Sequence, residues 1–258
     1  VFGYIAQILL FFQKSLDNDF SLIYDVTIYQ YLRKNIEEVI MYHYLEDKTF
    51  VKKMKAECCN IVNQLVQLIN KDNTMQVKAC LVGSGAKNLI TQNEEERVDL
   101  DFNLTVIECY KFSIDKGREV KEYIRKMFNK VLNKNGWDDC CDSTSVLTTN
   151  ERYFKKGNRT HFKIDLCITK EDSYGFHRLI HNKTGVTWMD TYNWTLVPSS
   201  KDVFAKADML KKNGHWQELR DTYLEKKNLY LKRQDNNHPS FNVYIESINE
   251  VYNKHYSN

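Results

Sequence analysis

The sequence predicts an α/β (α+β) fold in which a mixed sheet follows leading helices and precedes a helical C-terminal lobe. Three observations predict it. Residues 98–107 alternate cleanly: Leu100, Phe102, Leu104 and Val106 point one way, Asp99, Asp101, Asn103 and Thr105 the other. That is the pattern of a half-buried strand. Residues 161–168 repeat it, with Phe162, Ile164, Leu166 and Ile168 on the apolar face and Lys163 and Asp165 on the polar one. On both sides of this centre, apolar residues recur at helical spacing instead.

Taken in order, residues 1 to about 70 read as helices, broken near Asp17-Asn18-Asp19 and Asp47-Lys48-Thr49. Val1 to Phe12 is apolar, too short to span a bilayer and without a basic leader, so it reads as a packed helix. In the last leading helix Cys58, Ile61, Val62, Leu65 and Ile69 form a stripe. Met75 to Val82 reads as a strand, and Gly83-Ser84-Gly85 turns it into a short helix around Ala86 to Ile90. Asp115 to Asn135 carries the clearest helical stripe: Val120, Tyr123, Ile124, Met127, Phe128, Val131 and Leu132, with Gly136 as its stop. Its other face holds Lys116, Arg118, Lys121, Arg125, Lys126, Lys130 and Lys134. A solvated face is favoured there over a nucleic-acid surface.

Residues 143–198 alternate strand-like runs with turns, including Phe176 to His181 and Tyr192 to Val197. Ser199 and Asp202 suggest a capping box opening a helix to about Lys212, which Asn213-Gly214 breaks. A longer helix with Trp216, Leu219, Tyr223 and Tyr230 follows. Pro239 then opens a last one with Phe241, Tyr244, Ile245, Ile248 and Tyr252. The domain reading is 1–198 for a catalytic domain with N-terminal helices and 199–258 for the helical lobe.

The chain of 258 residues is 42% hydrophobic and 28% charged, which makes it globular rather than disordered. Two prolines, nine glycines and no internal period argue against a repeat array. A net charge of +3 is compatible with a nucleotide or RNA partner without indicating one. Seven cysteines, including the pairs Cys58-Cys59 and Cys140-Cys141, show no framework spacing, so reduced thiols and a cytoplasmic location are expected. Zinc is not expected, since His177 and His181 have no matching cysteine pair nearby.

The chemistry lies in the acids. Asp99 and Asp101 sit on one face of a strand with Cα atoms roughly 6–7 Å apart, close enough to share a divalent cation. Without a cation they repel. If the strand of Asp165 neighbours theirs, three carboxylates converge, an arrangement suited to two-metal phosphoryl transfer. Asp172 and Asp190 also lie downstream, but neither sits in so regular an alternation. The Gly83-Ser84-Gly85 turn lets backbone approach an anion, with the Ser84 hydroxyl as an added donor. It is not a P-loop.

An apolar strand ending in Gly83-Ser84, then Asp99-Leu100-Asp101 on the next strand, then the distant Asp165, resembles the DNA polymerase β-like nucleotidyltransferase superfamily. The resemblance covers roughly residues 75 to 170. It implies that Gly83 and Ser84 hold nucleotide phosphates and that Asp99, Asp101 and Asp165 hold two Mg2+ (or Mn2+) ions. Residues 85–98 are slightly longer than the family's usual gap, the excess falling in the polar loop Gln92 to Arg97.

Such a protein moves a nucleoside monophosphate from a nucleoside triphosphate, ATP among them, to an acceptor hydroxyl and releases pyrophosphate. From the helical lobe Lys201, Lys206, Lys211 and Lys212 are candidates to reach the triphosphate, Lys206 foremost. The leading helices are more similar to oligonucleotide and cyclic-dinucleotide synthases than to antibiotic-modifying members. RNA or a protein are the other acceptors. A non-catalytic RNA-binding module on the same scaffold is the alternative, against which the three intact acids argue. No membrane partner is expected.

Overall fold

The computed structural model describes residues 41–93, 96–235 and 239–256. The expected helices before residue 41, the break near Asp17 and the apolar start therefore lie outside the described residues, as do Glu94 and Glu95 of the polar loop. The chain divides into two compact units, Val1–Tyr42 and His43–Asn258. Apart from Tyr42 at the start of the first strand, the described elements of the fold all lie in the second unit.

A short strand β1 (Tyr42–Tyr44) precedes helix α1 (Lys48–Lys71). Asp47 caps α1 by accepting a hydrogen bond from the Phe50 N–H at 2.9 Å. The predicted stripe is buried in full, with Phe50 and Met54 added. Strand β2 (Met75–Leu81), helix α2 (Gly83–Lys87), strand β3 (Thr91–Asn93) and strand β4 (Val98–Cys109) follow. β1 and β3 form a separate two-stranded sheet. Helix α3 (Gly117–Lys134) leads through β5 (Cys141–Asp142) and β6 (Leu147–Thr148) to β7 (Phe162–Asp172). The hairpin partners β8 (Gly175–Asn182) and β9 (Thr191–Leu196) complete the larger sheet, and helices α4 (Lys201–Lys212), α5 (Trp216–Lys232) and α6 (Ser240–Tyr256) end the described chain.

The sheet is mixed, as expected. Its order is β2-β4-β7-β6-β5, with β8 pairing β7 and then β9. β2 runs antiparallel to β4, whereas β4 and β7 are parallel. A parallel pair needs a long connection, and α3 supplies it. The apolar residues of β4 and β7 pack with α1 and α3 into one core that includes Leu65, Ile69, Leu100, Phe102, Ile124, Phe128, Ile164 and Leu166. Burying that face turns Asp99, Asp101 and Asp165 to the other. A second cluster joins Leu210, Leu219, Tyr223, Tyr244 and Ile248 of the C-terminal helices to Leu89, just after α2.

Several local expectations are corrected. Helix α2 starts at Gly83 and ends at Asn88, which takes the left-handed conformation (φ 55°), so the glycines lie inside the helix rather than before it. The cap of α4 is Ser200 and makes no side-chain hydrogen bond, so the Ser199–Asp202 box does not form. Phe241 is exposed rather than part of the stripe of α6. On α3, Lys121 is buried: its ammonium lies 2.6 Å from Asp142 Oδ1 and donates to the Ser143 carbonyl at 2.7 Å. Arg118 donates to the carbonyls of Thr187 and Asp190, both at 2.9 Å. Two of the seven cations assigned to a solvated face are thus structural. Propensity alone cannot show this, because their partners lie after residue 141.

Candidate active site

Strand register brings the acids together. Across the parallel β4/β7 pair Asp101 stands directly beside Asp165, and Asp99 beside Lys163. Neighbouring strands lie about 4.8 Å apart, so Asp101 and Asp165 project side by side from one face. The Lys163 ammonium bridges the group, 3.6 Å from Asp99 Oδ2 and 3.3 Å from Asp165 Oδ2. Arg97 Nε lies 3.6 Å from Asp99 Oδ1. Asp172 is elsewhere, beside His177 and Lys170, and Asp190 is bound to His181 and Thr184.

The glycine turn reaches the same place through β2. Leu81 pairs with Phe102, and the Val82 N–H donates to the Asp101 carbonyl at 2.8 Å, so the chain leaves β2 next to Asp101. Gly83 has φ +63°, and a Cβ there would overlap Asp101 Oδ2, closer than real Cβ atoms come. The left-handed φ favours glycine, and an added Cβ would force the Asp101 carboxylate to move. Gly85 is buried for a different reason: a Cβ would press on Leu100 at 2.8 Å. Ser84 lies in the first turn of α2, where backbone N–H groups lack helical acceptors by position.

Charge is in conflict here. Burial, then the Asp165 and Asp99 carboxylates, push Asp101 up to about 6, against the pull of Arg178 and Lys163. Burial also raises Asp99, with Lys163 opposing. Asp165 Oδ1 is buried and has no hydrogen-bond partner among the described residues. A set of three carboxylates with an orphaned buried oxygen fits a hard divalent cation, which takes oxygen ligands.

Lys206, the lysine expected to reach the triphosphate, is committed elsewhere. Its ammonium donates to Asn249 Oδ1 at 2.9 Å and lies 5.0 Å from the Tyr252 ring centroid, inside the helical lobe. Besides Lys163, the charge of Lys87, in the last turn of α2, is felt at Asp101. Lys87 contacts the Gly83 carbonyl at 3.4 Å and stands over the rings of Tyr244 and Phe204. Burial lowers its pKa while the charge of Asp101 opposes the shift. Its spacing four residues after Gly83 was the available signal. Lys201, Lys211 and Lys212 lie on α4 or its ends, and Lys211 stacks on Trp216.

An open cleft of about 980 Å³ adjoins Asp99, lined by Arg97, Glu151, Arg159, Thr160 and His161 among others. Arg97 Nη1 donates to Glu151 Oε1 at 2.7 Å, and His161 Nδ1 lies 3.0 Å from Glu151 Oε2. These hydrogen bonds hold the Glu151 carboxyl below its usual range.

No protein-family model matches the chain, and no curated protein matches it. Solved structures do follow a similar backbone course. One is Elizabethkingia meningoseptica CdnE, a cyclic dinucleotide synthase with GTP and Apcpp: 12% identical, TM-score 0.43, covering 77% of this chain and 70% of that one. Another is the GTP-bound form of Vibrio cholerae DncV, at 12% identity, TM-score 0.45, 69% of this chain and 45% of that chain. E. coli MS115-1 CdnC with ATP is 13% identical, TM-score 0.49, over 79% and 61%. The chain spans less than two thirds of the last two. The functional reading rests on the residues of this chain.

Proposed function

We propose that the chain is a metal-dependent nucleotidyltransferase that moves a nucleoside monophosphate from a nucleoside triphosphate to an acceptor hydroxyl, releasing pyrophosphate. The observation that carries this is the register of Asp101 against Asp165, with the backbone of Gly83 pressed on the Asp101 carboxylate. Asp99, Asp101 and Asp165 would hold Mg2+ or Mn2+, which when bound neutralises phosphate charge and activates the attacking hydroxyl.

The chain's own residues do the positioning. Gly83 and Ser84 hold the phosphates through backbone N–H groups and the Ser84 hydroxyl. Lys87, close to both the turn and the acids, adds positive charge on that side. In this reading the acceptor enters by the polar cleft next to Asp99, whose lining carries both signs, Arg97 and Arg159 beside Glu96, Asp99 and Glu151. The catalytic residues, in the same reading, fall between Gly83 and Asp165, ahead of the helical lobe that begins at Lys201. Among the described residues no helix is long and apolar enough to cross a membrane.

Incubation with each of four labelled nucleoside triphosphates and Mg2+, followed by separation of linear, cyclic, RNA-linked and protein-linked products, tests the reading and names the acceptor. Wild type is expected to release pyrophosphate and form product, and Asp101→Asn or Asp165→Asn to form none. A wild-type protein that leaves all four nucleotides intact in the presence of RNA, protein and nucleotide acceptors overturns it.

A further inference from the structure

The C-terminal helices bring together three metal-ligating side chains far apart in sequence. His215 immediately precedes α5, Glu218 lies in its first turn, and His255 is in the last turn of α6. His255 Nε2 lies 2.7 Å from Glu218 Oε2, and His215 Nδ1 lies 3.8 Å from that same oxygen. The two imidazoles stack with centroids 3.8 Å apart and 20° between planes. One donor atom from each of the three residues falls within 4.8 Å of the others.

A hydrogen-bonded pin between helices accounts for half of this arrangement. It explains His255 on Glu218, but 3.8 Å is too long for a hydrogen bond from His215. An imidazole binds a metal ion in its own plane, so a cation shared by the three donors turns the two rings out of their stack and then serves all three at once. Lys254 meanwhile holds the other carboxylate oxygen, Oε1, at 2.6 Å, which leaves Oε2 facing the rings. Neighbouring groups commonly orient a ligating carboxylate in this way.

We infer that His215, Glu218 and His255 form a binding site for zinc or a similar first-row divalent cation, fastening the start of α5 to the end of α6. Two imidazoles and one carboxylate suit Zn2+, whose ligand bonds are about 2.0–2.2 Å, and do not suit Mg2+, which demands oxygen. The side chains are 28%, 30% and 27% exposed, open enough for an ion to enter and a water to complete four-coordination. The site shares no residue with the Asp99–Asp101–Asp165 group and stands whether or not the chain transfers nucleotides.

The test is zinc titration of the full chain after chelator treatment, read by thermal unfolding and by calorimetry. Zn2+ is expected to raise the melting temperature of wild type, and Mg2+ at equal concentration to leave this site unaffected. His215→Ala and His255→Ala should each weaken zinc binding by at least about tenfold, since even groups that only orient a ligand commonly contribute that much. His215→Ala separates ligation from pinning, because His215 makes no hydrogen bond to Glu218. It should stay near the wild-type melting temperature without metal and lose the zinc response, whereas Glu218→Gln, with one acceptor oxygen for two donors, should lower both. The triple variant Asp99→Asn, Asp101→Asn, Asp165→Asn should keep that response. No zinc response in wild type, or one kept in the histidine variants and lost in the triple variant, overturns the assignment.

Discussion

Asp101→Asn is the most revealing single change, because it separates a repelled carboxylate from a structural one. The carboxyl of Asp101 is pushed from 3.8 to about 6 by burial and by Asp165 and Asp99. The folded state therefore binds its proton more tightly than the unfolded state does. Between these two values the native protein carries more bound proton, so stability falls as pH rises. Above pH 6 the penalty is complete. A rise of about two units corresponds to about 3 kcal/mol, an upper figure for a metal-free protein.

The neutral amide escapes this cost. In chelator at pH 8, Asp101→Asn should melt higher than wild type by up to roughly 6–12 °C for a chain of this size. The two curves should converge near pH 4. With Mg2+ and nucleotide at about 100 times the dissociation constant, wild type should gain about 2.7 kcal/mol and the variant little of it. Thermal unfolding across pH, with and without metal, measures all of this. A variant less stable than wild type in chelator at pH 8 would refute the repulsion argument and make Asp101 a structural anchor. Equal gains from magnesium nucleotide would place the ligand elsewhere.

Gly83→Ala should abolish transfer and cost roughly 1–2 kcal/mol in urea unfolding, because alanine at φ +63° is strained and its methyl overlaps Asp101 Oδ2; activity retained in that variant would count against a role for the turn. Lys121→Met should destabilise the fold by about 3–5 kcal/mol, since it removes the ammonium 2.6 Å from the largely buried Asp142. A change under about 1 kcal/mol in chemical unfolding would mean that His181, whose Nδ1 lies 3.0 Å from Asp142 Oδ2, is partner enough for that carboxylate. The remaining cations of α3 should bind no RNA even in 50 mM salt by fluorescence anisotropy. Binding that falls roughly tenfold or more by 200 mM would instead restore the nucleic-acid reading.

Strand and helix identity were legible from the chain alone wherever one face is apolar. The alternation at 98–107 and 161–168 marks β4 and β7 because a period of two can bury only one side. The stripe from Cys58 to Ile69 marks α1 by the same reasoning at a period of about 3.6. That Asp99 and Asp101 share one face was readable because a period of two sets both opposite the buried residues of β4. That Asp165 rather than Asp172 or Asp190 stands beside Asp101 is a matter of register between strands about sixty residues apart. Local pattern cannot encode that.

Tertiary structure likewise decided what surrounds each lysine. Lys206 and Lys87 look alike in sequence, but one ammonium meets Asn249 and the other stands near Asp101. Lys121 sat among exposed cations by periodicity and is buried because Asp142 waits across the fold. His215 and His255 belong to no motif and meet only because α5 and α6 pack with the start of one against the end of the other. A sequence determines which faces must be buried, since apolar transfer depends on each side chain. Long-range packing determines which charges then face one another, and Coulomb interaction depends on that separation and on the medium between them.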